Sequence, residues 1–378
     1  MIIIDNGAYC IRAIDTANKA SAVVTISNMR GRLPGRHSKD LTGADLDSLK
    51  GKQCDGLRIE RPLSQGLLVD VQLQQSIWKE LLCRIQMRDR KVVFTAPLLT
   101  PSAFRPLYET LIYSCGKAES ARIVSPSYLI ARSHDEAICI VVDIGFHCTW
   151  ITPYIEYLPV KQAVRRVDIG GDALTAKLQS EIWQHQKMLR RNYLVANNMK
   201  HACCYVALDF EEATRRRAHN NDQSCAAIHY SCSNEKICNQ ENEENIDYED
   251  TVTLLHEPFC VPEILFQPFL VKQQGMGIGE ALMESIGPFH PAVQRGLLNN
   301  ILLTGETSQL NGLVHRLERD ISSLAPYGAP VRIINMRMCE AIEKVKSGCL
   351  FTNEEFVHRD EFSRNLVRAR EKLWSSLK

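Results

Sequence analysis

Two short turns carry the residues that could do chemistry. Near the start, Ile2-Ile3-Ile4 runs into Asp5-Asn6-Gly7, and in mid-chain Cys139-Ile140-Val141-Val142 runs into Asp143-Ile144-Gly145. Each apolar, β-branched run reads as a buried strand, and each Asp-x-Gly as a tight turn with a carboxylate at the strand's tip. Glycine lets the backbone bend sharply and lets its N–H groups approach a ligand. Two such turns facing each other could hold a polyphosphate, with Asp5 and Asp143 holding its hydrated metal through water. One such turn alone is simply a good hairpin. The weight rests on the pair, set about one domain length apart, which reads as one unit built twice across a cleft.

The elements that must position these turns follow in order. Tyr9-Cys10-Ile11 and Thr149 to Tyr154 read as the return strands of the two hairpins. Residues 71–85 form an amphipathic helix with Leu73, Ile77, Leu81 and Leu82 on one face. Lys91-Val92-Val93-Phe94 is a buried strand stopped before Pro97, and 103–114 a second helix. Gly170-Gly171 opens a helix with Leu174, Leu178 and Ile182 on one side. Such a glycine pair marks close approach to a phosphate or close packing of backbones, and taken alone packing is the simpler reading. Ile301-Leu302-Leu303-Thr304-Gly305 is a further strand ending at glycine, followed by a helix over 313–321, a strand over 331–334 and a helix over 338–345.

Length and charge bound the rest. At 378 residues the chain suits two lobes rather than one core. With 45 basic against 44 acidic side chains it does not read as a wholesale nucleic-acid binder. No apolar run is long enough to span a bilayer, and the start Met-Ile-Ile-Ile-Asp has no signal-peptide pattern, so the cytosol or nucleus is expected. The fourteen cysteines then read as small buried apolar residues or free thiols.

Two stretches look different. Residues 20–49 are rich in Gly, Arg and Lys and poor in pattern, and read as a mobile basic surface module. Residues 211–250 pass from Arg215-Arg216-Arg217 into an Asn-rich and then acidic run, with few large apolar side chains, and read as an exposed, flexible insertion. It holds Cys225, His229, Cys232 and Cys238, but without a Cys-x-x-Cys knuckle a zinc site is the lesser reading. The basic tail reads as an exposed amphipathic helix.

The paired hairpins, the Gly-Gly helix start, Cys204 to Phe210, Val261-Pro262-Glu263-Ile264-Leu265-Phe266 and Ile301 to Gly305 follow one another as they do in the actin family, which the chain resembles from Met1 to about Phe362. The Asp5-Asn6-Gly7-Ala8-Tyr9 start, Pro153-Tyr154-Ile155-Glu156 and Ala163 to Gly171 resemble a nuclear, actin-related branch of that family. The resemblance implies an α/β actin fold, two ribonuclease-H-like halves around a central cleft. It divides the chain into a first half, 1–131, with 326–363 returning to it and 20–60 as a small outer subdomain. The second half is 132–325, with 211–252 as a flexible insertion, and 364–378 is a basic tail helix. It further implies a nuclear subunit of a Swr/SRCAP-type chromatin remodelling complex that exchanges a variant histone into nucleosomes. Its partners would be the remodeller ATPase and a zinc-finger subunit, with histones met indirectly, no membrane and no filament.

On the family's pattern, Asp5, Asn6, Gly7, Asp143, Gly145, Lys200 and Gly305 stand where ATP or ADP with magnesium would bind. The departures are heavier. Ala8 and Tyr9 replace a serine and a glycine, and Ile144, Phe146 and His147 replace a serine, an aspartate and a glycine. Trp150 stands in place of a histidine and Pro126 near the water-positioning glutamine. His201 and Glu306 replace a glutamate and a glycine, and Ile342 to Val345 stands where a Gly-Gly is expected. Hydrolysis needs a positioned water and a preorganised phosphate cradle, so no ATPase and no other catalytic residue is expected. Glu306 beside a polyphosphate would cost on the order of 1 kcal/mol or more unless a cation intervenes. The alternative reading is an ATP-binding or weakly hydrolysing actin of cytoskeletal type.

Overall fold

The computed structural model describes residues 1–17, 22–33, 40–49, 54, 56–185, 193–218, 227–238, 251–347, 356–362 and 364. Two mixed sheets organise them. In the first, the hairpin Ile2–Asn6 and Cys10–Asp15 is flanked by Val24–Ser27 on one side and by the parallel strands Lys91–Thr95 and Ser120–Val124 on the other. In the second, the hairpin Ile138–Ile144 and Thr149–Ile155 is flanked by the antiparallel Arg165–Val167 and by the parallel strands Ile301–Thr304 and Ile333–Asn335. The sequence of antiparallel and parallel neighbours is the same in both sheets, which makes the repeat of the two hairpins a repeat of the whole unit.

The side-chain period of two explains why these strands are apolar along their whole length. Ile2 and Ile4 face the first half's core with Trp78 and Phe94, while Ile3 between them faces the other way. Ile140, Val142 and Ile144 face the second half's core, and Cys139 and Val141 turn to meet Ile3. A third core therefore lies between the sheets. It is closed by the helices Pro126–Arg132 and Met338–Ser347, which contribute Leu129, Ile130, Ala341, Ile342 and Val345. Burying the Leu, Ile and Val side chains among them stabilises the junction by roughly 1.5–3 kcal/mol each, so the halves are fused at this seam.

Several expectations need correction. The basic module of 20–49 is folded in its described part. Arg30–Arg32 lies between Asp40–Thr42 and Arg58–Glu60, and Arg30 and Arg32 pair with Asp40 and Glu60. Arg30 and Arg32 thus neutralise acids on the neighbouring strands. The insertion is folded at both ends. It begins in the helix Phe210–Ala218, and Ile228–Ser231, Lys236–Ile237 and Thr251–Leu254 form a three-stranded sheet. Tyr230, Val252 and Leu254 alternate into the second half's core, so three well-spaced apolar residues suffice where overall composition argued for disorder. The strand Ile333–Asn335 belongs to the second sheet, because the helix Leu313–Leu324 carries the chain back in a parallel crossover. The return to the first half is made later, by Val357–His358 beside Ser120–Val124. Residues 365–378, most of the expected tail helix, lie outside the described residues.

Candidate functional site

A cavity of about 790 Å³ opens between the two hairpins and is lined by all seven residues singled out from the sequence: Asp5, Asn6, Gly7, Asp143, Gly145, Lys200 and Gly305. Asp5 is 4% exposed, and the Thr95 hydroxyl donates to its Oδ1 at 2.8 Å. Arg12, directly opposite it in the antiparallel register, reaches its Oδ2 at 3.4 Å. Burial still holds the Asp5 carboxyl above the usual range, opposed by Arg12 and Thr95. Asp143 is pushed up to about 7, by burial first and then by the charge of Asp5. The cleft floor thus sets two carboxylates against the guanidinium of Arg12.

The remaining predicted residues serve the framework. Asn6 turns inward: its amide donates to Gln74 Oε1 at 3.2 Å, and the Trp78 indole N–H donates to its Oδ1 at 3.2 Å. Both partners sit on the helix Val71–Arg84, whose start is capped by Asp70. That helix braces the first hairpin. Lys200, 2% exposed, spends its three donors at 3.0 Å on Gly171 O, Thr175 Oγ1 and Asn197 Oδ1, and burial lowers it to about 8. Gly170 and Gly171 pack on the second hairpin. A side chain at Gly170 would meet the carbonyls of Gly145 and Phe146 at 2.6 Å, and the N–H groups of Gly171 and Asp172 donate to those same carbonyls at 3.0 and 2.8 Å. Packing, the simpler reading of that pair, describes what it does here. Gly305, at φ +95°, could carry no side chain, since a Cβ would lie 2.2 Å from the Ile144 carbonyl.

Arg12 and Arg61, which the sequence reading missed, join residues it had named in closing the cleft from side to side. Arg12 also pairs with Glu306, joining the first hairpin to the turn after the strand Ile301–Thr304. The carboxylate expected to repel a polyphosphate is therefore already paired with a cation. Tyr9 lies 5.4 Å from the Phe146 ring, and its hydroxyl accepts from Asn197 at 3.1 Å. The Arg61 guanidinium lies 4.6 Å from the Phe146 ring centre and 4.7 Å from that of Tyr193, while its Nε and Nη2 are buried without a hydrogen-bond partner among the described residues. Where Pro126 starts a helix, Ser125, Ser127 and the Tyr154 hydroxyl bond one another at 2.9–3.1 Å and close that part of the wall.

The sequence that builds this fold and cleft matches known proteins. The actin family profile covers residues 1–347. The chain belongs to the actin family. It is 27% identical to the actin-like protein ARP6 of Yarrowia lipolytica over 86% of this chain and 84% of that one. It is 24% identical to actin-related protein 6 of Drosophila melanogaster over 88% of each chain. Mouse actin-like protein 7A is 26% identical over 72% of this chain and 59% of its own length. The chain is thus an actin-related protein, similar to proteins called actin-related protein 6 in fungus, fly and rice.

The family implies ATP or ADP with magnesium, and the donors present do not fit a gripped triphosphate. The Gly145 N–H is turned into its own hairpin, to Cys148 O at 3.1 Å, and the start of the Gly171–His185 helix is spent on the hairpin's carbonyls. Lys200 has no donor left, Arg12 is held by two carboxylates, and the Tyr9 and Phe146 rings meet across the two hairpins. The described members of the zinc-like set are not gathered into a metal site. Cys225 lies outside the described residues, His229 Nδ1 bonds Thr253 Oγ1 at 3.0 Å, and Cys232 is buried in the second core. Among the described residues no group of His, Cys, Asp or Glu is placed to hold a metal, and no helix is long and apolar enough to cross a membrane.

Proposed function

We propose that this actin-related protein is a non-catalytic nuclear subunit of a Swr/SRCAP-type chromatin remodelling complex that exchanges a variant histone into nucleosomes. In this reading it is a scaffold. Its two halves present a fixed surface to the remodeller ATPase and to a zinc-finger subunit, nucleosomes are met through them, and the chain neither hydrolyses ATP nor forms filaments. The observation that carries the reading is the cleft itself, where donors that would hold a triphosphate are spent on the chain's own backbone and carboxylates. Catalysis of phosphoryl transfer is almost entirely positioning and electrostatics, so a cleft that has committed those groups elsewhere has little left to catalyse with. Similarity to proteins named actin-related protein 6 supports the placing within the family.

Affinity purification of the tagged full chain from nuclear extract tests it. Recovery of a remodeller ATPase with chromatin subunits is the expected result, and recovery of none would overturn the reading. Phosphate release by the purified chain above a no-protein control would overturn its non-catalytic part.

A further inference from the structure

Among the groups that keep the cleft from fitting a triphosphate, one carboxylate reaches in from the second half, Glu306. Arg12 is the cation that acts on both Asp5 and Asp143, and its side chain is 14% exposed between Asp5 and Glu306. Its partner across the cleft is rigidly mounted. Gly305 is wedged against the Ile144 carbonyl at a φ that only glycine adopts easily, and the turn Glu306–Gln309 that follows is tied by Ser308 Oγ to Gly305 O at 2.7 Å and to Asn335 Oδ1 at 3.1 Å. Glu306 thus starts from a fixed backbone on the second half and reaches a side chain fixed on the first. Its own side chain is 60% exposed, so no core packing depends on it.

We propose that Glu306 is a built-in gate: by drawing Arg12 across the cleft it occupies, from within the chain, the place of an anionic ligand, and the cleft is a latent polyphosphate site that this pair holds shut. Two effects act in one direction. The pair removes the guanidinium fork that would receive phosphate oxygens, and the carboxylate adds a negative charge beside the two aspartates. Breaking the pair reverses both: Arg12 keeps Asp5 on one side, and the Nη2 edge that Glu306 held is freed to receive an anion. The proposal deepens the non-catalytic reading by naming the group responsible. It is independent of whether the chain serves a remodelling complex, since co-purification and ligand binding are read in separate experiments.

The test uses the full chain and isothermal titration with magnesium tripolyphosphate, then with ATP and magnesium. Glu306→Gln keeps shape and removes charge. It should bind tripolyphosphate at least tenfold more tightly than the unmodified chain, a difference of about 1.4 kcal/mol. In an Arg12→Gln background the same change should bring less than a threefold gain, because the freed cation is gone. Glu306→Ala serves as a second variant, and thermal unfolding confirms that each protein is folded. A gain below tenfold in both Glu306 variants overturns the gate. So does an equal gain with and without Arg12, which would make Glu306 a mere source of repulsion, or tight binding by the unmodified chain.

Discussion

Asp143→Asn should make the protein more stable at neutral pH. In the folded chain the Asp143 carboxyl titrates at about 7, against 3.8 for an ordinary aspartate, because it is buried beside Asp5. A carboxyl that holds its proton more tightly when folded supports the fold fully below about pH 4, and that support is lost as pH rises through about 7. Three pKa units at 1.36 kcal/mol each set a ceiling of about 4 kcal/mol on the loss, and sharing of the strain with Asp5 brings the expected figure to about 2 kcal/mol. Asparagine has the same shape and no charge, so it should recover that amount at pH 7.5 and flatten the stability slope between pH 5 and 7. Urea unfolding of both proteins across that range measures it directly. Asp5→Asn is the contrast, since Asp5 is held by Thr95 and Arg12 and its loss leaves the guanidinium with Glu306 alone. A variant at Asp143 that is no more stable than the parent at pH 7.5, or equally pH-dependent, would refute the account of the cleft floor.

Glu263 and Arg316 form two parallel hydrogen bonds at 2.9 and 3.0 Å in the second half, with the Glu263 side chain fully buried and Arg316 also donating to Ala207 O at 2.9 Å. Glu263→Ala leaves the Arg316 guanidinium with Asp320 as its remaining acid partner and should cost about 3 kcal/mol in denaturant unfolding, more than Glu263→Gln. Gly305→Ala forces a methyl into the Ile144 carbonyl and a positive φ on a residue that resists it. It should lower stability by more than about 1 kcal/mol and speed amide hydrogen exchange in the second hairpin, whereas an unchanged melting temperature would show that this contact is looser than drawn.

The parts legible in the sequence were those governed by local rules. Each Asp-x-Gly hairpin has its strand, turn and return strand within a dozen or so residues, so apolar run and turn chemistry sufficed to find both, and their repetition pointed to two halves. Arg12 escaped although a signal existed. It sits opposite Asp5 in the hairpin register, and an acid facing a base across antiparallel strands is a stabilising pair, but reading it required knowing where the turn begins and ends. Glu306 was found by position but its partner was not, because Arg12 lies 294 residues away and no spacing rule connects them. Composition failed at the outer module and the insertion for a related reason. Mean polarity is an average, whereas a small sheet needs only a few apolar side chains at every second position, as Tyr230, Val252 and Leu254 supply.

Two kinds of contact hold the halves together, and they answer to different physics. The seam that includes Ile3, Val93, Val141 and Leu302 is apolar, insensitive to ligand and closed by packed helices, so it fixes the joint. The cleft contacts are polar and aromatic: Arg12 with Glu306, Tyr9 with Phe146 and Asn197, Arg61 between Phe146 and Tyr193. Each is worth on the order of 1 kcal/mol, but they act in parallel across one opening, and separating the halves must break them together. In a nucleotide-dependent member of such a fold, closure is set by the ligand's differential affinity for the closed form. Here the chain's own side chains supply that bias. On the scaffold reading proposed above, a partner that spans both halves would meet a surface whose geometry these contacts set before binding, and this is the property a scaffold requires.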